Sequence, residues 1–348
     1  MSQQPYAQDA QNQGASLSTV TFPELTDLVD RNFKSVGGLI VPAALQLYMT
    51  DTAGDGEGEL KLLQEYDMST YARSKPQGVD AKKSLFGIGY FITIKQKRIG
   101  MESEITWEMR RYNKKKEVLA AIESLPQFCP QRVEIDLTHR FTFCTSTSYV
   151  NMDGDTVDIT VGDGLALAYS AHTLKFSTLT YSNRVTGDPL FSKGGLEAVE
   201  LLTTTDILSN FGEKRVMDFN TIVTGNNPTV CNAVNRFLKS TTDDTQMNDG
   251  VINPSYMKYK HVVLTQLATT ATGAVDNTKK NWWALVATGN GLKGWQAWFV
   301  EFETANLIPA TSGNGTDVHK DIWYYNVRQS YNIGILSGRG AIFSCPVN

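Results

Sequence analysis

The stretch from Tyr66 to Leu125 constrains this chain more than any other. Its first half is a polar, turn-rich excursion from Tyr71 to Lys83. The excursion returns through FGIGYFITIK, whose Phe, Tyr, Ile and Thr suit a strand. From Glu102 onward the spacing becomes helical: Ile105, Met109, Tyr112, Leu119 and Ile122 share one face, interrupted by Lys116. A two-stranded hairpin is marginal alone in water. Its edges also leave N–H and C=O groups unpaired and attract another chain. The pattern therefore predicts that a neighbouring subunit covers the hairpin and that the protein works as an assembly unit.

With 348 residues the chain can bury a sizeable core, as one large or two modest domains. Hydrophobic residues make up 41% and charged residues 20%, the balance of an ordinary globular protein. There is no run of ~18 apolar residues, so no membrane-spanning helix is expected. The start, MSQQPYAQDAQNQGAS, lacks the basic and apolar regions of a signal peptide and reads as a polar tail. A net charge of −4 argues against a chain whose main task is gripping nucleic-acid phosphates. Cys129, Cys144, Cys231 and Cys345 form no CxxC pair. Free thiols packed as small hydrophobes, in a chain made in a reducing cytoplasm, fit that spacing.

Taken in order, Phe22–Phe33 reads as a short amphipathic helix, with Pro23 in its first turn. Apolar residues resume at Leu39–Met49, and a Gly/Asp linker runs from Asp51 to Glu59. Glu59–Tyr66 is expected as a strand leading into the hairpin. The helix after the hairpin is expected to run to about Ser124. Pro126 and Pro130 should break or kink it, and helical spacing resumes with Val133, Leu137, Phe141 and Cys144. A short strand is expected at Val157–Val161. Helices are expected at Gly194–Ser209 and after Asn227, a cap followed by Pro228. Further strands are expected at Phe219–Thr224, His261–Leu267, Trp282–Ala287 and Gln296–Glu303, and in DIWYYNVR and GRGAIFSC at the end.

Little in the sequence points to chemistry. His139, His172, His261 and His319 are scattered, without HxH or HxxxH spacing. Asn151, Asp153 and Asp155 alternate like the start of a calcium loop, but Thr156 and Gly162 stand where glycine and glutamate are needed. GIGYFI and GNGLKG lack the remaining residues of phosphate-binding loops. The segment Lys95–Lys116 carries eight basic and three acidic residues, which suits a solvated helix face equally with a surface facing packaged nucleic acid or an acidic neighbour. Trp282, Trp283, Trp295, Trp298 and Trp323 cluster late and read mainly as core.

With these segments in order, the chain resembles the tailed-bacteriophage major capsid protein family over roughly residues 59–348. The resemblance is carried by LKLLQEYD, YARSKPQGVDAKKSLFGIGYFITI, ITWEMRRYNKKKEVLAAI, DGLALAYSAH, GGLEAVELL, FNTIVTGNNPTVCNAVNRFL, NWWALVATGNG and DIWYYNVRQSYNIGILSGRGAIFSC. It implies an α+β fold with an N-terminal arm at 1–58 and a strand with an extended loop at 59–100, the loop lying over an adjacent subunit. It further implies a peripheral domain at 101–190 and 318–348, containing a long spine helix, and an axial domain at 191–317. The subunit-interface candidates are Tyr71, Arg73, Lys75, Asp80, Lys82, Lys83, Phe86, Arg110 and Arg111. The implied function is structural: pentamers and hexamers of an icosahedral head enclosing double-stranded DNA, made in the host cytoplasm. Implied partners are copies of itself, portal and scaffolding proteins, a decoration protein and weakly held DNA, with no membrane. The arm is too short to be a fused scaffolding domain. No catalytic residue, cofactor or metal ligand carries over. The rival readings are a cellular nanocompartment shell of the same fold and a soluble α+β enzyme.

Overall fold

The computed structural model describes residues 22–37, 42–52, 60–68, 71–84, 86–186, 190–242, 252–288, 298–302, 306–308, 316–317 and 322–345. The expected polar tail, most of the Asp51–Glu59 linker, GNGLKG, Trp295 and His319 lie outside these residues, as do the side chains of Arg110 and Trp298.

The chain begins with α1 (Phe22–Gly37), a 3-10 turn at Ala43–Leu47 and β1 (Met49–Thr52). The hairpin strands β2 (Leu60–Met68) and β3 (Phe86–Lys95) lead into β4 (Lys97–Thr106), α2 (Trp107–Arg111) and the long α3 (Lys115–Thr142). Short strands β5 (Ser148–Val150), β6 (Thr156–Asp158), β7 (His172–Thr173), β8 (Thr180–Tyr181) and β9 (Arg184–Val185) follow. Next come α4 (Lys193–Thr205), β10 (Phe219–Gly225), α5 (Pro228–Lys239), β11 (Lys260–Leu264) and β12 (Trp283–Ala287). The chain closes with β13 (Trp298–Phe302), β14 (Asn306–Ile308), β15 (Thr316–Asp317), β16 (Ile322–Ile335) and β17 (Ala341–Ser344).

The region expected to be helical from Glu102 differs in two ways. Residues 97–106 form a strand, because β16 offers them an unbroken antiparallel partner from Ile322↔Thr106 to Tyr331↔Lys97. Ladder pairing over that length overrides local helical spacing. Asn113 then takes a left-handed conformation (φ 52°), and the Lys114 N–H bonds back to Met109 O at 2.9 Å. This six-residue closure terminates α2, so Ile105, Met109 and Tyr112 do not share the stripe of the long helix.

The prolines do not break α3, which runs 28 residues straight through Pro126 and Pro130. A proline at 126 removes the N–H that would satisfy Ile122 O. Asn32 of α1 supplies a replacement, donating from Nδ2 to Ile122 O at 3.3 Å. The buried stripe continues unbroken as Val118, Ile122, Leu125, Cys129, Val133, Leu137 and Phe141, at steps of three and four.

That stripe lies against both sheets. Val118 to Cys129 pack with Val29 of α1, Ile105 of β4, and Tyr325 and Val327 of β16. Val133, Leu137 and Phe141 pack with Tyr331 and Ile335 further along the same face of β16, and with the five-stranded sheet. The six-stranded sheet is built around β16, which pairs with β4, β13, β14 and β15, while β1 adds to β13. The five-stranded sheet has the order β11-β10-β12-β17-β9.

Period-two alternation covers the second sheet on both sides. Ile222, Trp283, Leu285 and Ile342 face α4 and α5. Val223, Ala284, Val286, Ala341 and Phe343 face α3 and the 3-10 turn, with Ala44, Leu47 and Tyr48 in the same cluster. The Asn227 cap expected for α5 is present, its Oδ1 accepting from Thr229 N at 3.1 Å. Strand pairing crosses the expected boundary at residues 317 and 318. β13, β14 and β15 join the sheet of β16, whereas β17 joins the sheet of β12.

Candidate subunit interface

The hairpin has two unlike faces. On β2 the odd positions turn inward: Glu65 is 4% exposed and Asp67 6%. The even positions Leu60, Leu62, Tyr66 and Met68 turn outward, joined by Phe86, Ile88 and Phe91 of β3, all 50–65% exposed. A bulge keeps this outer row continuous. The register passes from Gln64↔Phe91 to Tyr66↔Ile88, so Gly89 and Tyr90 together oppose Glu65. Without the extra residue, Phe86 and Ile88 would switch faces relative to Phe91. Phe86 stacks on Tyr66 with ring centroids 6.1 Å apart.

The inner face is held by a buried polar network. Arg339, 1% exposed, donates from Nη1 to Glu65 Oε1 at 2.5 Å and from Nη2 to Asn210 Oδ1 at 2.8 Å. The Asn210 backbone N–H in turn donates to Asp67 Oδ2 at 2.7 Å, and Arg215 Nη1 lies 3.7 Å from Asp67 Oδ1. Arg339 also stacks over the Tyr181 ring at 5.1 Å. Two carboxylates and two guanidiniums balance in charge, which buried ions require. At the hairpin base, a Cβ on Gly334 would fall 2.6 Å from Ile94 Cγ2, so only glycine lets β3 lie this close to β16. The expectation of an uncovered hairpin therefore holds for its outer face alone. The inner face belongs to the body of the same chain.

Tyr71, Arg73, Lys75, Asp80, Lys82 and Lys83 all sit in the exposed loop 71–84, which has no regular secondary structure. Within it, Val79 N–H bonds Pro76 O at 3.3 Å. Among the described residues these side chains make no ion pair with the body. Arg110 and Arg111 lie apart from the loop, on α2, where Arg111 stacks over Trp107 at 4.9 Å.

The remaining polar motifs are structural. Asn151 Oδ1 accepts from the backbone N–H groups of Asp153 and Asp155, both at 2.9 Å. Asp153 pairs with Arg132 at 2.6 Å and Lys97 at 3.5 Å. Burial pushes its pKa up, but Arg132 and Lys97 together hold it below the usual carboxylate value. Tyr331 Oη donates to Asp136, tying β16 to α3. His139 Nε2 meets Thr269 Oγ1 at 3.1 Å, His172 Nδ1 meets Asp163 at 2.8 Å, and His261 Nε2 meets Thr224 Oγ1 at 2.8 Å. Cys129, Cys144 and Cys345 are buried free thiols. Trp282 and Trp283 are core residues.

No protein-family model matches the chain, and no curated protein matches it. Solved structures do. A chain from Mycobacterium phage Patience aligns with a TM-score of 0.50 at 10% identity, covering 97% of this chain and 92% of that one. This chain has that phage protein's fold. The capsid of Ralstonia phage GP4 aligns at a TM-score of 0.46 and 13% identity, covering 85% of this chain and 86% of that one. The capsid of Myoviridae phage XM1 gives 0.44 and 10%, with 86% and 90% covered.

Sequence reasoning missed the network beneath the hairpin. The signal was present in β2, where Glu65 and Asp67 alternate with Tyr66 and Met68. An alternating strand is ordinarily read with its apolar face inward. Here the apolar face points out, because Arg339 and Arg215 wait for the charged one.

Proposed function

We propose that this chain is the major head subunit of a tailed phage, a structural protein that closes into an icosahedral shell of pentamers and hexamers around double-stranded DNA. The observation that carries the reading is the outward apolar row of the hairpin, Leu60, Leu62, Tyr66, Met68, Phe86, Ile88 and Phe91. Single exposed apolar residues are ordinary, but a contiguous row of seven marks an interaction surface. The fold shared with the phage Patience chain over nearly the whole length supports the same conclusion.

In this reading the hairpin outer face and loop 71–84 lie on an adjacent copy. The six-stranded sheet and α3 form the peripheral region and its spine, and most of the five-stranded sheet with α4 and α5 forms the axial region. Each subunit folds on its own core, and assembly removes the remaining apolar surface from water at ~25 cal/mol per Å². Tyr71, Arg73, Lys75, Asp80, Lys82 and Lys83 of the loop and Phe86 of β3 are contact residues, with Arg110 and Arg111 on a second contact. Portal, scaffolding and decoration proteins are the further partners, and the packaged DNA is held weakly.

Electron microscopy of the purified full chain tests the proposal. Closed shells are expected from the unaltered protein. Replacing residues 71–84 by a tight turn should leave a folded subunit that forms none. Particles of normal size from the shortened chain would remove the loop from the assembly mechanism.

A further inference from the structure

The surface that receives the loop can be named, on the basis of the capsid reading above. Loop 71–84 carries Arg73, Lys75, Lys82 and Lys83 against the single carboxylate Asp80, and all five are exposed. None has an ion-pair partner among the described residues. Four cations concentrated on one ribbon call for an anionic counter-surface.

The chain presents one on the outer face of the six-stranded sheet. Glu102 and Glu104 are two residues apart on β4 and so point to the same side, away from the α3 stripe that buries Ile105. Both are exposed. The paired strand places Asn326 opposite Glu102 and Tyr324 opposite Glu104, neither of them charged. The two carboxylates have no salt bridge among the described residues. Tyr324 and Ile322, half-buried on the same face, add apolar surface that suits Tyr71 and Val79 of the loop.

Beyond the carboxylates the sign of this face reverses. Arg328 lies opposite Gly100, one same-face pairing step from Glu102 and Asn326, and Arg98 lies one step further, with Gly100 contributing no side chain between them. Arg98 lies about 20 Å along the strand from Glu104. A face with two carboxylates followed by two guanidiniums matches a ribbon that carries both signs, four cations and one carboxylate.

We propose that the basic loop 71–84 of one copy docks on the Glu102–Glu104 end of the six-stranded sheet of a second copy, with Lys82 and Lys83 facing the two carboxylates. The occupant is a second copy because the same chain carries both charges and leaves both unpaired.

Charge exchange tests the contact. Lys82→Glu with Lys83→Glu, and separately Glu102→Lys with Glu104→Lys, should each lower the yield of closed shells about tenfold or more, because like charges then meet across the contact. The chain carrying all four reversals should assemble again. All four positions are exposed, so the denaturation midpoint of each subunit should be unchanged. In a second measurement, a Lys82→Cys chain mixed with a Glu102→Cys chain should give an intermolecular disulfide under oxidised glutathione. Normal shells from both double variants would overturn the contact and leave the capsid reading standing. Loss of shells from the loop variant alone, with no rescue by the combination, would assign the cations to another partner such as nucleic acid and also overturn it. No shells from the unaltered chain would overturn both readings together.

Discussion

The five-stranded sheet and the β2–β3 hairpin solve the same problem differently. Every residue of β12 is buried, with Trp283 and Leu285 against one helical layer and Ala284 and Val286 against another. In the hairpin, only the inner face finds partners within the chain: Arg339 and Asn210 for the carboxylates of β2, and the core beside β16 for Ile92 and Ile94. The sheet is finished when the chain folds. The hairpin is finished only in part, and its apolar side is the unfinished one. Apolar surface left outward on a strand whose other face is locked cannot fold away without breaking the lock, so another copy is the simplest cover.

Variants can break this contrast or sharpen it. The largest effect is expected from Trp283→Ala. Trp283 fills the layer between the sheet and α4 and meets Phe191 edge-on at 5.1 Å, and its truncation should cost about 3–5 kcal/mol of subunit stability in a urea titration. Arg339→Ala should cost a comparable ~3 kcal/mol or more, because Glu65 is left buried without a partner. Its distinguishing sign is local: amide exchange should quicken in β2 and β3 before it does in β12. Replacing Glu65 and Arg339 together by Leu and Met should cost less than Arg339→Ala alone.

A pH effect comes from His139, buried on α3 edge-on to the stacked pair Phe143 and Tyr149. Burial lowers its pKa from 6.5 to about 4; Asp136 opposes that shift, while Lys279, Arg132 and Arg140 reinforce it. Between those values the unfolded chain binds a proton that the folded chain does not. Stability should therefore be full above about 6.5 and fall toward pH 4, by on the order of 2–3 kcal/mol from this group. His139→Gln should flatten that part of the stability–pH curve. An unchanged slope would place the acid sensitivity elsewhere.

The smallest effect on the subunit is expected on the outer face of the hairpin. Ile88→Asp should change the denaturation midpoint by no more than about 0.5 kcal/mol, as for most surface substitutions, yet it should prevent shell formation. A strongly destabilised Ile88→Asp subunit would mean that the outer face is covered by its own chain.

Much of this was legible in the residues. Strands β3, β10 and β12 follow from β-branched and aromatic runs, and the start of α5 follows from Asn227 and Pro228, because these signals are local. The unbroken α3 was not legible. Pro126 reads as a break, and what rescues the helix is Asn32, some ninety positions earlier in sequence. The strand at 97–106 was hidden for a similar reason, since its partner β16 begins at Ile322. The polarity of the hairpin was inverted by Arg339, 274 residues from Glu65. Local pattern reports propensity, and each of these features was set by a distant partner. The interface candidates on loop 71–84 came from the polar, turn-rich excursion and from the resemblance, and the structure leaves all of them exposed.

The most direct measurement is hydroxyl-radical footprinting of the dissociated subunit against the assembled particle. Tyr66, Met68 and Phe86 should be labelled readily in the subunit and protected in the particle, with buried Trp283 unlabelled in both. Equal labelling of Tyr66, Met68 and Phe86 in subunit and particle would contradict the account.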